Sequence, residues 1–224
     1  MADTLLKGIV MYNLFAIFDT FQDKGHPVNK WLHYLPIYER FFSRFQNQSI
    51  QILEIGVGYG GSLKMWRSYF GANCRVIGVD IRPSCKSYES ELIDVRIGSQ
   101  SDTSFLKSLV DEYKNFDIVV DDGSHRITDI MSSVSYLYRH LSNNGVYLIE
   151  DLSIPDNMPI GGVPVINHFL SLSDQERSAA LPDLDSISLF RGVLVFEKRY
   201  VPLIKPTERP SGADVWIEGR SRND

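Results

Sequence analysis

From residue 50 onward, short apolar runs of strand length alternate with segments whose apolar positions recur at helical spacing. The runs at 50–55, 75–80, 94–97, 116–121, 145–150, 186–190 and 193–198 predict strands, and the segments at 62–70, 103–113, 129–141 and 165–172 predict helices between them. Such alternation builds βαβ units and a mostly parallel sheet. Only Arg191-Gly192 separates the last two runs, so these form a hairpin and run antiparallel to each other. The pattern predicts an α/β, Rossmann-like fold: a mostly parallel seven-stranded sheet ending in an antiparallel hairpin, preceded by a helical extension.

That extension covers residues 1–48, ahead of a catalytic domain at 49–200 and a polar, Pro/Gly-punctuated tail at 201–224. Residues 5–21 carry Leu5, Leu6, Ile9, Val10, Leu14, Phe15, Ile17, Phe18 and Phe21, but Lys7, Asn13 and Asp19 interrupt the run. It falls short of the roughly 18 uninterrupted apolar residues that a spanning helix wants, and no small-residue cleavage site follows it. An amphipathic helix is expected, packed on the domain, on a second subunit, or as a lid. A second, aromatic helix is expected at 34–45, with Tyr34, Tyr38, Phe41, Phe42 and Phe45, and His33-Tyr34 would help to close a pocket.

Two strands end in carboxylates. Ile118-Val119-Val120 runs into Asp121-Asp122-Gly123-Ser124-His125, and Val146-Tyr147-Leu148-Ile149 runs into Glu150-Asp151. Acidic groups at buried strand tips are costly unless they meet a cation or a hydrogen-bonding ligand, and the carboxyl edge is where open sheets bind ligands. Asp122, Glu150 and Asp151 are expected to hold a metal ion; oxygen donors of this kind suit Mg²⁺, or Mn²⁺, better than zinc or copper. His125 beside them is the expected general base, because a histidine titrates near neutrality, and general-base help is worth roughly 10²–10⁴-fold. Asp121 is read either as a cap or as a cofactor contact.

The first strand runs into Glu54-Ile55-Gly56-Val57-Gly58-Tyr59-Gly60-Gly61-Ser62 and then a helix. Gly56, Gly58 and Gly61 satisfy the dinucleotide pattern G-x-G-x-x-G, so a nicotinamide or flavin nucleotide stays open. Glu54, however, opposes a pyrophosphate and suits a cation, and S-adenosylmethionine carries a sulfonium and an ammonium. The cofactor contacts expected are Glu54, Gly56, Gly58, Gly60 and Ser62, with Asp80 on the ribose, Gln100 near the adenine, and Asp121. The parallel sheet with its terminal hairpin is the plan of a class I methyltransferase rather than of a dehydrogenase.

Composition narrows the partners. A net charge of -5, with no basic stripe, argues against nucleic acid. The two cysteines, Cys74 and Cys85, suggest neither a disulfide framework nor a zinc site, so a reducing cytoplasm is expected.

Taken together, Leu53–Trp66, Asp121–His125, Ile149–Leu152, Asp23-Lys24 and Ser101–Leu106 resemble the macrocin and mycinamicin-type sugar O-methyltransferases, a family that extends to cephalosporin-hydroxylase-like proteins. The resemblance covers roughly residues 23–198. It implies an S-adenosylmethionine- and Mg²⁺-dependent transfer of a methyl group to a hydroxyl of a sugar or glycosylated natural product. It also implies an ion on Asp122, Glu150 and Asp151, His125 as base, and a homodimer or higher homo-oligomer. A catechol- or phenol-type O-methyltransferase and a non-methylating cephalosporin-hydroxylase-like protein are the alternatives.

Overall fold

The computed structural model describes residues 13–23, 27–152 and 162–199. Its strands are β1 (Ile50–Ile55), β2 (Cys74–Asp80), β3 (Ile93–Ile97), β4 (Phe116–Asp121), β5 (Leu141–Ile149), β6 (Leu184–Phe190) and β7 (Val193–Lys198). They form a seven-stranded sheet in the order β3-β2-β1-β4-β5-β7-β6. The first five are parallel, while β7 runs antiparallel to both β5 and β6. This is the doubly wound sheet with a terminal hairpin that the apolar runs predict.

Helices cover both faces. On one lie α1 (Leu14–Asp23), α2 (Leu35–Phe42) and α3 (Gly61–Phe70); on the other lie α4 (Thr103–Tyr113), α5 (Ile127–Leu137) and α6 (Gly162–Ser171). Successive strand residues point to opposite faces. Ile52 and Val120 therefore enter the layer of Tyr38, Phe42, Trp66 and Phe70, whereas Leu53 and Val119 enter that of Leu109, Val134 and Phe169. With both faces covered, β4 and β5 carry continuous apolar runs at 118–120 and 146–149 rather than alternation, as buried parallel strands do. The aromatic segment after residue 33 is part of this core: Tyr38 and Phe42 are fully buried, their rings 5.2 and 5.8 Å from Trp66. Leu14 and Phe18 of α1 join the same cluster. Residues 1–12, which include the start of the first helix expected at 5–21, and the tail at 201–224 lie outside the described residues.

Two boundaries differ from expectation by four residues, the others from residue 34 onward by three or fewer. The helix expected at 129–141 ends at Leu137 and tightens into a 3₁₀ turn, Tyr138–His140. The strand expected at 145 starts at Leu141 instead, because Leu141 pairs with Phe116 across an irregularity in the ladder. Pairing overrides the loop-like Ser142-Asn143-Asn144. A short helix, α7 (Asp174–Ala180), was not expected; a reciprocal capping box between Ser173 and Glu176 starts it, but it buries nothing and so lacks an apolar stripe. Among the described residues, no helix is long and apolar enough to cross a membrane.

Candidate active site

Chain order reverses between β1 and β4, which places a crevice at their carboxyl ends. The loops after β1, β2, β3 and β4 line a cavity of about 560 Å³ there, with Gly56, Asp80, Gln100, Asp122, His125 and Asp151 on its walls.

The glycine loop fixes one wall. Gly56 adopts φ +95°, and a Cβ at that position would lie 2.0 Å from the carbonyl oxygen of Asp122. Glycine is therefore required for the end of β1 to approach the end of β4. Gly58 and Ser62 line the cavity; Gly60, at φ +75°, precedes α3 and lies off the lining. The Ser62 hydroxyl donates to Oε2 of Glu54 at 2.7 Å. Glu54 is wholly buried and is not part of the lining.

Asp80 organises the loop. Its Oδ2 accepts from the backbone N–H groups of Val57 and Gly58 at 3.1 and 3.2 Å, and its Oδ1 accepts from the backbone and side chain of Arg82 at 2.9 and 3.1 Å. Burial pulls the Asp80 carboxyl upward, but these donors, Arg82 foremost, outweigh it and hold it below the usual carboxylate range. Gln100 is a strut between strand ends: its Nε2 donates to Asp121 at 3.0 Å and its Oε1 accepts from the Ser124 N–H at 2.7 Å.

The carboxylates at the tips of β4 and β5 diverge. Asp121 turns away from the cavity, where Ser133 and Tyr147 donate to its Oδ2 at 2.6 and 2.9 Å. Burial raises its carboxyl despite these donors. Asp122 faces the cavity. Glu150 is buried beneath it, with Oε1 accepting from the Tyr38 hydroxyl at 2.7 Å. Burial raises the Glu150 carboxyl, with the Lys30 ammonium opposing the shift. Asp151 takes φ +55° and His125 φ +56°, a left-handed conformation uncommon outside glycine and typical of constrained functional positions. The turn brings the carboxylate of Asp151 into the cavity wall, where Tyr34 donates to its Oδ1 at 2.8 Å.

Ligand atoms of Asp122, His125 and Asp151 lie within 4.8 Å of one another, and His125 Nε2 is 3.9 Å from Asp122 Oδ1. The set that meets at the cavity is thus Asp122, Asp151 and His125, with Glu150 outside it. Asp122 and Asp151 offer the oxygen donors that Mg²⁺ or Mn²⁺ prefers, with room for other ligands.

Sequence reading misses Lys30. Its Nζ lies 2.7 Å from Asp122 Oδ2, 3.0 Å from Glu54 Oε1 and 3.0 Å from Glu150 Oε2. Burial alone would lower this ammonium, but the charges of Asp122, Glu150 and Glu54 more than offset it and hold it well above the ordinary lysine range. The available signal was the unmet need of three sheet-edge carboxylates for a cation; a lysine from outside the sheet satisfies part of it. Tyr34, expected to help close a pocket, and Tyr38, expected on the aromatic helix, are both buried in the core, and their hydroxyls also anchor Asp151 and Glu150. His33 is exposed, 3.2 Å from the Arg191 carbonyl, and lies off the cavity lining.

No protein-family model matches the chain. Among curated proteins it is 40% identical over 129 residues to 8-demethyl-8-(2-methoxy-alpha-L-rhamnosyl)-tetracenomycin-C 3'-O-methyltransferase of Streptomyces olivaceus, a match covering 54% of this chain and 33% of that protein. It is 40% identical over 131 residues to mycinamicin VI 2''-O-methyltransferase of Micromonospora griseorubida (54% and 32%). It is 38% identical over 133 residues to demethylmacrocin O-methyltransferase of Streptomyces fradiae (55% and 33%). The matches span about a third of these relatives' lengths. Among solved structures, the MycE methyltransferase from the mycinamycin biosynthetic pathway, in complex with Mg, SAH and mycinamycin VI, superposes with a TM-score of 0.71 at 24% identity, over 85% of this chain and 54% of that one. A second MycE structure, with Mg and SAH, gives 0.70 at 26% identity, over 84% and 55%. The fold is that of the MycE methyltransferase, and the chain is similar in sequence to sugar O-methyltransferases.

Proposed function

We propose that this chain is an S-adenosylmethionine- and Mg²⁺-dependent O-methyltransferase acting on a hydroxyl of a sugar or glycosylated natural product. The observation that carries the reading is one cavity with two halves: the glycine loop with Asp80 at one end, and Asp122, His125 and Asp151 at the other. Its similarity to sugar O-methyltransferases supports the acceptor class.

When bound, S-adenosylmethionine supplies an electrophilic methyl group, and a divalent ion on Asp122 and Asp151 makes a chelated hydroxyl more acidic. The chain's own groups do the rest. Gly56, Gly58 and Ser62 let the main chain approach the cofactor, while buried Glu54 gives that wall an acidic background suited to a cationic ligand. Asp80 holds the loop and faces the ribose side; exposed Arg82 can swing aside to release its oxygens. Gln100 and Asp121 lock the ends of β3 and β4. His125, half-exposed on the cavity wall, accepts the proton of the acceptor hydroxyl. Enclosure aligns that oxygen with the methyl carbon.

The free, buried Cys74 and Cys85 suit a reducing cytoplasm, and the exposed Trp31 and Leu32 beside the site suit a contact between copies in a homo-oligomer.

The test is methyl transfer from labelled S-adenosylmethionine by the purified chain, with Mg²⁺ or with chelator, to a panel of deoxysugar glycosides and a catechol. Mg²⁺-dependent labelling of a glycoside is expected. Labelling of the catechol alone would move the acceptor to the phenol class, and undiminished labelling under chelator would remove the ion from the account.

A further inference from the structure

Arg82 lines the cavity at the end of β2, just ahead of the 3₁₀ turn Pro83–Tyr88, and its guanidinium reaches back over the Asp80 carboxylate. Five N–H groups converge on that carboxylate. Oδ2 accepts from the backbones of Val57 and Gly58 and from Arg82 Nη2, the last at 3.1 Å. Oδ1 accepts from the Arg82 backbone at 2.9 Å and from Arg82 Nε at 3.1 Å. A carboxylate offers about four acceptor positions. Asp80 therefore has none left for a further donor.

The five donors differ in what holds them. Three are main-chain groups of the glycine loop and of the turn after β2. The loop has bonds of its own besides, with the Gly56 N–H donating to the Val79 carbonyl at 2.8 Å and the Gly60 N–H to the Val57 carbonyl at 2.9 Å. The other two donors sit on the Arg82 side chain, which is 49% exposed. Nη2 also donates to the Gly58 carbonyl at 2.8 Å, but the Cys85 thiol donates to that same oxygen at 3.6 Å. The guanidinium can thus pass into water without undoing the loop. Its departure leaves Oδ2 with two backbone donors and Oδ1 with one, so that one position opens on Oδ1.

We propose that Arg82 is a positioning residue that competes with a ribose hydroxyl for Asp80, so that the hold of this side chain sets the affinity of the cavity for an adenosyl ligand. The inference rests on the cofactor reading above and deepens it by naming what the ligand must displace. A ligand that binds only when a competing contact is open has its apparent affinity reduced by the open fraction, and a substitution that opens the contact restores it. A half-exposed charge pair is weak, so the effect is a few-fold.

S-adenosylhomocysteine is titrated calorimetrically into the full chain, alone and in competition with adenosine or 2′,3′-dideoxyadenosine. The two competitors are uncharged and differ only in the ribose hydroxyls. R82A should bind S-adenosylhomocysteine and adenosine about threefold or more tightly than wild type, the scale of a partly exposed charge pair. Its affinity for the dideoxynucleoside should match that of wild type. Unchanged or weaker adenosine binding by R82A would make Arg82 a brace of the loop and overturn the proposal. An equal gain for both nucleosides would make it a mere obstruction and overturn the proposal as well. If R82A does not fold, R82K decides: it keeps the charge but replaces the planar fork by a single ammonium. R82K should then bind adenosine more tightly than wild type, and equal or weaker binding overturns the proposal. Failure of the cofactor reading itself looks different: no binding of S-adenosylhomocysteine by wild type or R82A, or wild-type binding that adenosine does not displace.

Discussion

The hydroxyl of Tyr34 donates to Oδ1 of Asp151 at 2.8 Å and accepts from the backbone N–H of the same residue at 3.3 Å. One side chain thereby pins both the carboxylate and the left-handed backbone of Asp151. One helical turn on, Tyr38 does the same service for the Glu150 carboxylate at 2.7 Å. The aromatic segment ahead of the sheet is thus a support for the candidate site as well as a wall of the core.

Y34F should be felt first as loosened geometry. Losing the bond leaves a polar carboxylate and a strained turn without their partner, a cost of about 1–3 kcal/mol. The expected outcome is a lower melting temperature together with Mn²⁺ affinity reduced by about tenfold. A variant that melts lower but binds Mn²⁺ as wild type does would reduce Tyr34 to a packing residue.

D122N should separate the two halves of the cavity. It keeps the shape and the backbone but removes a charged oxygen donor. Divalent-ion-dependent methylation should vanish, while calorimetric affinity for S-adenosylhomocysteine stays within about threefold, since removing an ion ligand leaves the glycine loop untouched. Comparable loss of both would mean that the halves are one binding unit.

H125Q should lower kcat by roughly 10²–10⁴-fold with little change in the acceptor KM, as removal of a general base does. The side chain is half-exposed, so stability should hardly move. Unchanged turnover would take the base assignment away from His125.

On the proposed reading, Asp80 links cofactor binding to acid stability. Its carboxyl lies below the usual range when folded, so the stability it contributes is fully present above the unfolded carboxylate pKa, near 3.9, and is lost as pH falls through the folded value. D80N should bind S-adenosylhomocysteine at least about tenfold more weakly, because it disturbs the loop and removes the anionic acceptor. Its melting temperature should also fall less steeply than that of wild type below about pH 4. Parallel acid melting curves would show that the Arg82 contact contributes nothing to the fold.

The sheet was legible because β4 and β5 are buried on both faces and so carry the apolar runs 118–120 and 146–149. The hairpin was legible from the two-residue gap at Arg191-Gly192. Side-chain direction was harder to see. Asp121 and Asp122 are consecutive, as are Glu150 and Asp151, and neighbours on a strand point to opposite faces. Asp121 accordingly enters the α5 layer toward Ser133, Glu150 enters the α2 layer toward Tyr38, and Asp122 reaches the cavity. Asp151 reaches it only by abandoning extended backbone, which no periodicity announces. Lys30 was hidden for another reason: its partners lie 24, 92 and 120 positions away, and no local pattern reports such distant ion pairs.

The contact between Gly56 and the Asp122 carbonyl has a mechanical consequence. With no spare room between them, any shift of the glycine loop must be transmitted to the backbone of Asp122, the proposed ion ligand. A methyl group at position 56 would act as a wedge, prying the two strand ends apart and spoiling both recognition tasks in a single stroke.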